Sequence, residues 1–89
     1  MLQDLRYLIE KEIASATILF EIWNDLICVN ITHPDNQTSE GRIYTYRPND
    51  MRGYNFERVD PHTYTKVITC NNIVGIKSDG SQEIFSYTE

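Results

Sequence analysis

Glycine is scarce in this sequence and is never clustered, since the four glycines stand apart at Gly41, Gly53, Gly75 and Gly80. A loop that cradles phosphate groups needs several glycines around a lysine at the start of a helix. No segment of this chain has that composition. The sequence therefore argues against nucleotide hydrolysis.

Cysteine is also scarce, with only Cys28 and Cys70. Two cysteines fall short of a disulfide framework, and they lack the close spacing of a zinc or redox motif. Both lie in apolar, β-rich stretches, where a free cysteine usually serves as a small buried hydrophobic residue. We expect both cysteines to be reduced and largely buried.

The two histidines, His33 and His62, offer little support for catalysis or metal binding. Nucleophilic catalysis would pair one of them with a cysteine, but neither an oxyanion loop nor a nucleophile elbow accompanies them. His33 with Asp35 and Asp60 with His62 form local pairs, yet each pair belongs to a turn and a metal site needs at least three ligands. We expect no catalytic residue, metal or cofactor, and a small enzyme using His33 or His62 is the least favoured hypothesis.

Long apolar runs are absent as well. No stretch approaches the roughly 20 residues that a membrane-spanning helix needs. Residues 1–14 mix charged and apolar side chains, whereas a secretory signal has a basic start followed by a purely apolar segment. The expected location is therefore the cytoplasm, with no membrane partner.

The charge is acidic overall but changes sign in one segment. Acidic residues number 13 and basic residues 8, which gives a formal net charge of −5. Nucleic-acid binding depends largely on neutralising phosphates, so this balance argues against a dedicated nucleic-acid binder. Residues 42–58, by contrast, hold four arginines and two acids and no lysine, a net charge of +2.

Length and pattern together predict a single α+β domain over residues 1–89. Residues 2–14 place apolar side chains at helical spacing, with charged residues on the other faces and no glycine or proline. This pattern predicts an amphipathic helix. Its stripe of Leu5, Ile9 and Ile13 should pack on a sheet, because no other element can cover it.

The rest of the chain is typical of an antiparallel β-meander. TILFEIW and LICVNIT flank Asn24-Asp25, which indicates a hairpin with a two-residue turn. Further β-rich runs are RIYTYR, YNFERV, TYTKVIT, IVGIK and EIFSYT. We expect the helix to pack on this meander or on a small barrel of five to six strands. In the first run, the face of Ile18, Phe20 and Ile22 is the better candidate for the core.

This order of elements, one amphipathic helix followed by short strands, resembles the Sm-like small barrel. The WYL module, a bacterial regulatory variant of that barrel that binds ligands, is similar in layout. The resemblance would make TILFEI the first strand, IYTYR a middle strand and TKVITCNNIVGI the strand pair near the end. The Trp-Tyr-Leu signature and the Sm motifs are missing, so the resemblance concerns layout alone and carries over no functional residue.

The arginine-rich segment is the strongest candidate for a binding site. Its members, which we call the Arg–Tyr region, are Arg42, Tyr44, Tyr46, Arg47, Arg52, Tyr54 and Arg58. Arginine can bind a carboxylate or phosphate through two hydrogen bonds, and tyrosine gives a large contact area at low entropic cost. Strand alternation puts Arg42, Tyr44 and Tyr46 on one face, and a neighbouring strand YNFERV would extend that face. A purely structural role is the alternative, because strand tyrosines are often half-buried and arginine side chains often cover apolar surface.

Two functional hypotheses follow. The leading one is a small non-enzymatic module that binds an anionic ligand, peptide or protein surface through the Arg–Tyr region. The alternative is a small inhibitor or accessory protein, of a phage or mobile-element type, that contacts a larger protein through its acidic surface. The N-terminal part of that surface holds Asp4, Glu10, Glu12, Glu21 and Asp25. An exposed sheet edge in so small a domain also favours a homo-oligomer over a monomer.

Overall fold

The computed structural model describes residues 1–87 and begins with one helix, α1 (Leu2–Glu12). The helix ends two residues before the predicted boundary, because Ile13 already has an extended backbone. Leu5 and Ile9 are each 1% exposed, whereas Leu8 is 51% exposed. The helix therefore buries one narrow apolar stripe, as its sequence pattern predicts.

Seven antiparallel strands follow within residues 1–87 and form two sheets. The first sheet holds, in spatial order, β1 (Thr17–Trp23), β2 (Leu26–Thr32), β3 (Ser39–Pro48) and β4 (Tyr54–Arg58). The second sheet holds β5 (Tyr64–Cys70), β6 (Asn72–Lys77) and β7 (Gln82–Phe85). Each strand pairs with the next one in the chain, as in a β-meander, except that β4 and β5 lie in different sheets.

The predicted α+β class is confirmed, while the details of the strands differ from the prediction. Residues 1–87 form seven strands, one in each of the seven β-rich runs of the sequence, but these strands lie in two sheets and not in one barrel of five to six strands. Within residues 1–87 no strand pairing joins the two sheets, so barrel closure is not shown. The predicted run EIFSYT extends to residue 88, which lies outside the described residues.

The β1–β2 hairpin matches its sequence signal. Asn24 has a φ of 55°, so it takes the left-handed conformation that asparagine tolerates in a tight turn. Ile18 is 3% exposed and faces the core, whereas Leu19 on the opposite face is 66% exposed. Ile22 was expected in the core but is 47% exposed. The face of β1 that was predicted to be buried is therefore buried at Ile18 but exposed to solvent at Ile22.

The first sheet is covered on both faces. On one face, Ile27, Val29 and Ile31 of β2 pack in a core with Leu5 and Ile9 of α1. A strand buried on both faces reads as a continuous apolar run, and the sequence LICV has that character. The molecule therefore has three layers, with the first sheet in the middle.

The second core lies between the two sheets. Leu26, Cys28 and Ile43 of the first sheet pack with Val67 and Ile73 of the second. Cys28 is a free buried cysteine, as expected. The prediction that Cys70 is also buried was wrong, because Cys70 is the last residue of β5 and its side chain is exposed.

Asn30 and Gly41 allow the two sheets to approach closely. They are direct partners across β2 and β3. The Asn30 side chain donates to the Val67 carbonyl at 2.8 Å and accepts from the Val67 N–H at 2.8 Å. A Cβ on Gly41 would lie only 2.6 Å from the side chain of Val67. Glycine is therefore required there, and Asn30 satisfies two main-chain groups of β5.

A membrane-spanning helix is not found in the described part of the chain, since α1 is too short and too polar for that role.

Candidate functional site

The β3–β4 hairpin brings the Arg–Tyr region together. Tyr44 lies opposite Arg58, and Tyr46 lies opposite Phe56. Opposite residues of a strand pair point to the same face, so one face of the hairpin carries two adjacent rows of aromatic and arginine side chains. The rings of Tyr46 and Tyr54 meet edge to face with their centres 6.3 Å apart. The arrangement that alternation predicts is therefore present.

The half of this face that is nearest to α1 is occupied by an internal ion pair network. Arg42 is only 3% exposed. Its guanidinium donates to both carboxylate oxygens of Glu12, to both of Glu40 and to the hydroxyl of Tyr44. These bonds use all five N–H donors of an arginine. Arg42 therefore ties α1 to the first sheet and has no donor left for an external ligand.

Arg58 makes a second internal pair, with Asp60. Its Nε donates to Oδ1 at 2.7 Å and its Nη2 donates to Oδ2 at 3.0 Å. Asp60 is 4% exposed and also accepts from the backbone N–H groups of Ile43 and His62, each at 3.0 Å. This pair holds the segment between β4 and β5 against β3, which gives Arg58 a structural role.

The carboxylates of this network are held in the ionised form. Hydrogen bonds from Arg42 lower the pKa of Glu12, although partial burial opposes them. Burial raises the pKa of Asp60, but the hydrogen bonds from Arg58 and from the backbone of Ile43 and His62 outweigh it, so that the pKa is lowered. The network is therefore charged at neutral pH.

The outer half of the hairpin is open to solvent. Arg47 and Arg52 are exposed, and neither makes a salt bridge with another residue between 1 and 87. Tyr46 and Tyr54 are half-buried beside them. Two of the four arginines thus serve the interior, and two remain available at the surface.

The tip of the hairpin is an ordered turn. The side-chain oxygen of Asn49 accepts from the N–H groups of Met51 and Gly53, at 2.9 and 3.0 Å. Its amide nitrogen donates to the side chain of Asn55 at 3.0 Å. Because Asn49 holds the turn from inside, the side chain of Met51 points away and is 87% exposed.

Arg52 has an unfavourable backbone conformation in this turn. Its φ is 63°, in the left-handed region. Elsewhere in residues 1–87 the same region is occupied by Asn24, Asn36 and Asn71 and also by Ser15 and His62. Asparagine and histidine are among the non-glycine residues that tolerate it best. For other residues the cost is about 1–2 kcal/mol. The fold alone gives no reason for arginine at this position.

We call the exposed part of the hairpin the hairpin surface, and it consists of Tyr46, Arg47, Met51, Arg52 and Tyr54. Arg47 points to the opposite face of β3 from Tyr46, because the two residues are adjacent in the strand. The hairpin surface therefore wraps around the end of the hairpin.

Sequence reasoning missed a cleft that borders this surface. It has a volume of about 640 Å³, lies between the ends of the two sheets and is lined by Trp23, Arg47, Glu57 and Phe85 among others. Its size is within the usual range of small-ligand pockets. Packing of the two sheets creates it, and the only signal in the sequence is the large aromatic Trp23 on the face of β1 away from α1.

The side chains considered for catalysis and metal binding have other partners. Burial raises the pKa of the Cys28 thiol to about 12, so the thiolate is disfavoured at neutral pH. The Nε2 atom of His33 lies 3.1 Å from a carboxylate oxygen of Glu40. Asp35 accepts three hydrogen bonds from Gln37 and Thr38 within its own turn. Among residues 1–87, no group of three or more potential ligands is placed to hold a metal ion.

The acidic residues considered for the alternative hypothesis are exposed. This holds for Asp4, Glu10, Glu12, Glu21 and Asp25. Glu12 differs from the others because it pairs with Arg42.

Comparison with protein-family models, with curated proteins and with solved structures finds no match to this chain.

Proposed function

We propose that this protein is a small non-enzymatic module that binds an anionic partner, namely an acidic peptide or protein surface, through the hairpin surface. Four members of the Arg–Tyr region take part, namely Tyr46, Arg47, Arg52 and Tyr54, together with Met51. Arg42 and Arg58 are assigned to the fold, because their guanidinium groups are bonded to internal carboxylates.

The observation that carries the proposal is the conformation of Arg52. A left-handed arginine costs stability that glycine or asparagine would not. Residues in unfavourable backbone conformations concentrate at functional sites, where another requirement outweighs the cost. At this turn the requirement would be a guanidinium at the tip, next to the exposed Met51.

The charge distribution supports the same function. Arg47 and Arg52, which make no ion pair within residues 1–87, are exposed on a protein whose net charge is −5. Solubility does not call for arginine over lysine, whereas two-point binding of a carboxylate does. An acidic partner would approach this end of the molecule with less repulsion than any acidic face.

The aromatic row would supply the apolar part of the contact. Tyr46 and Tyr54 are half-buried and held in an edge-to-face pair, so that little side-chain freedom is lost on binding. Tyrosine and arginine are enriched in the energetically important centres of protein interfaces.

A titration followed by NMR tests the proposal. The probe is a short poly-glutamate peptide added to the ¹⁵N-labelled protein. We expect shifts confined to residues 46–54 and binding that weakens as salt rises, because exposed arginine contacts are screened. The double variant Arg47→Ala, Arg52→Ala should bind more weakly by about 1–3 kcal/mol, as expected for hydrogen bonds to charged groups.

The matched control removes the same charge elsewhere. Lys11 and Lys66 are both exposed, and the double variant Lys11→Ala, Lys66→Ala should bind the peptide almost as well as the parent. Equal losses in the two double variants would mean that only net charge matters and would contradict the proposal. If a poly-lysine peptide shifts the NMR signals of residues 4–25 instead, the result would favour the alternative hypothesis of binding through the acidic surface.

A further inference from the structure

The outer face of the second sheet carries an uncovered row of aliphatic side chains. Ile68 of β5 pairs with Val74 of β6, and Val74 pairs with Ile84 of β7. Their neighbours Val67 and Ile73 point inward to the second core, so alternation puts this row on the other face. Ile68 is 38% exposed and Ile84 is 63% exposed.

The amino-acid sequence of β6 is typical of a strand that is buried on both faces. Its sequence IVGI is apolar at inward and outward positions alike, as LICV is in β2. β2 has a layer on each face, namely α1 and the second sheet. β6 has the second core on one face. On its other face Val74 and Ile76 are half-buried, and no layer within residues 1–87 covers them.

The chemistry of this face fits a second copy of the same face. The outward positions beside the aliphatic row are Lys66, Ile76 and Gln82 on one side and Cys70 and Asn72 on the other. Only Lys66 is charged, in a protein with a net charge of −5. Two copies can thus meet here without burying a carboxylate, which an acidic partner face would require.

We infer that two copies associate through the outer faces of their second sheets. Two pleated faces of this kind pack about 10 Å apart with interleaved side chains. A two-fold axis through the centre of the face would place the row Ile68, Val74 and Ile84 of each copy against that of the other.

The size of the face sets the strength of this dimer. Three strands of four to seven residues, at ~4.8 Å between strands and ~3.3 Å per residue, span on the order of 300 Å². A stable interface buries about 800 Å² per partner. The dimer is therefore weak, and its formation depends on protein concentration.

Sedimentation velocity from about 10 µM to about 1 mM tests the inference. The parent should move from the 10.4 kDa monomer toward a species of twice that mass. Higher salt should strengthen the dimer, because it screens the repulsion between two acidic copies. This response is opposite to the one expected for an acidic partner at the hairpin surface.

The variant Ile84→Asp should remain a monomer at every concentration, since it puts a carboxylate in the aliphatic row that forms the contact. Leu8→Asp is the matched control, because Leu8 is 51% exposed on α1, on the other side of the first sheet, and it should dimerise like the parent. Ile68→Asp is a second test of the face if Ile84→Asp fails to fold, as judged by circular dichroism.

Three results would overturn the inference. The parent could stay monomeric up to about 1 mM, which would leave the face to a different protein. The dimer could persist in Ile84→Asp or in Ile68→Asp, or it could be lost equally in Leu8→Asp. Each result would show that the aliphatic row does not form the contact.

Discussion

The arginines of the β3–β4 hairpin have two different roles. The buried ones stabilise the fold, and the exposed ones are available to a partner. Arg42 uses all its donors on Glu12, Glu40 and Tyr44, whereas Arg52 is exposed and without a salt bridge among the described residues. A buried arginine must have its donors satisfied inside the protein, because desolvation of an unpaired charge is very costly. Residue type alone therefore could not divide the Arg–Tyr region into structural and exposed members.

The free energy of unfolding should fall at acid pH as Asp60 becomes protonated. Its pKa is lowered in the folded state from an ordinary value of 3.8. Its stabilising contribution is therefore complete at pH values above 3.8 and is lost as the pH falls through the lower folded-state pKa. Asp60→Asn should lower the free energy of unfolding by about 3 kcal/mol at neutral pH, since it leaves Arg58 with only the Glu40 carboxylate, 4.0 Å away.

Urea unfolding of the parent and of Asp60→Asn, at neutral pH and at pH values below 4, measures the pH dependence of stability and the loss caused by the substitution. The variant should lose less stability than the parent between the two conditions, because the titrating group is gone. Asp50→Asn is the control, since Asp50 is exposed, and it should behave like the parent. An Asp60→Asn variant with unchanged stability would contradict the role assigned to this ion pair.

At the scale of elements, alternation and turn residues predict most of the fold. The helix, the Asn24-Asp25 hairpin and the rows on β3 and β4 all follow from local patterns. What could not be predicted depends on contacts between distant segments. Glu12 meets Arg42 across 30 residues, and the cleft beside Trp23 exists only because the two sheets pack together.

The exposure of Cys70 shows a second limit of prediction from sequence composition. The residues before Cys70, namely Val67, Ile68 and Thr69, are β-branched, so the composition of that run indicates burial. Its position at the end of β5, on the outer face, decides the outcome instead. Neither the end of a strand nor the uncovered side of a sheet can be read from a single apolar run.

The helix should contribute much of the stability through only two residues. Ile9→Ala should lower the free energy of unfolding by about 2–5 kcal/mol, because Ile9 is 1% exposed and its removal leaves a cavity. Leu8→Ala, on the neighbouring residue, should cost less than about 1 kcal/mol, because Leu8 is already half exposed.

Thermal or urea unfolding of the two variants gives the comparison. Leu8→Ala also controls for the change in helix propensity, since both variants replace a helical residue by alanine. Equal losses of stability in the two variants, or no loss in Ile9→Ala, would show that α1 does not stabilise the first sheet as its packing indicates.

For the whole molecule, three layers leave two surfaces without a structural explanation. One is the hairpin surface, where arginine and methionine stand exposed on an ordered turn. The other is the aliphatic outer face of the second sheet. The first is polar and basic and the second apolar and nearly neutral, so the two surfaces should bind partners of different chemistry and respond oppositely to salt.

The most direct test of the proposed binding function is the substitution Arg52→Gly, measured for stability and for affinity. Glycine removes the cost of the left-handed backbone, so the free energy of unfolding should rise by about 1 kcal/mol. The same change removes a guanidinium from the hairpin surface, so affinity for the poly-glutamate peptide should fall roughly fivefold or more. Asn36→Gly, at another left-handed position, should leave affinity unchanged. A more stable Arg52→Gly variant that binds the peptide as tightly as the parent would contradict the account.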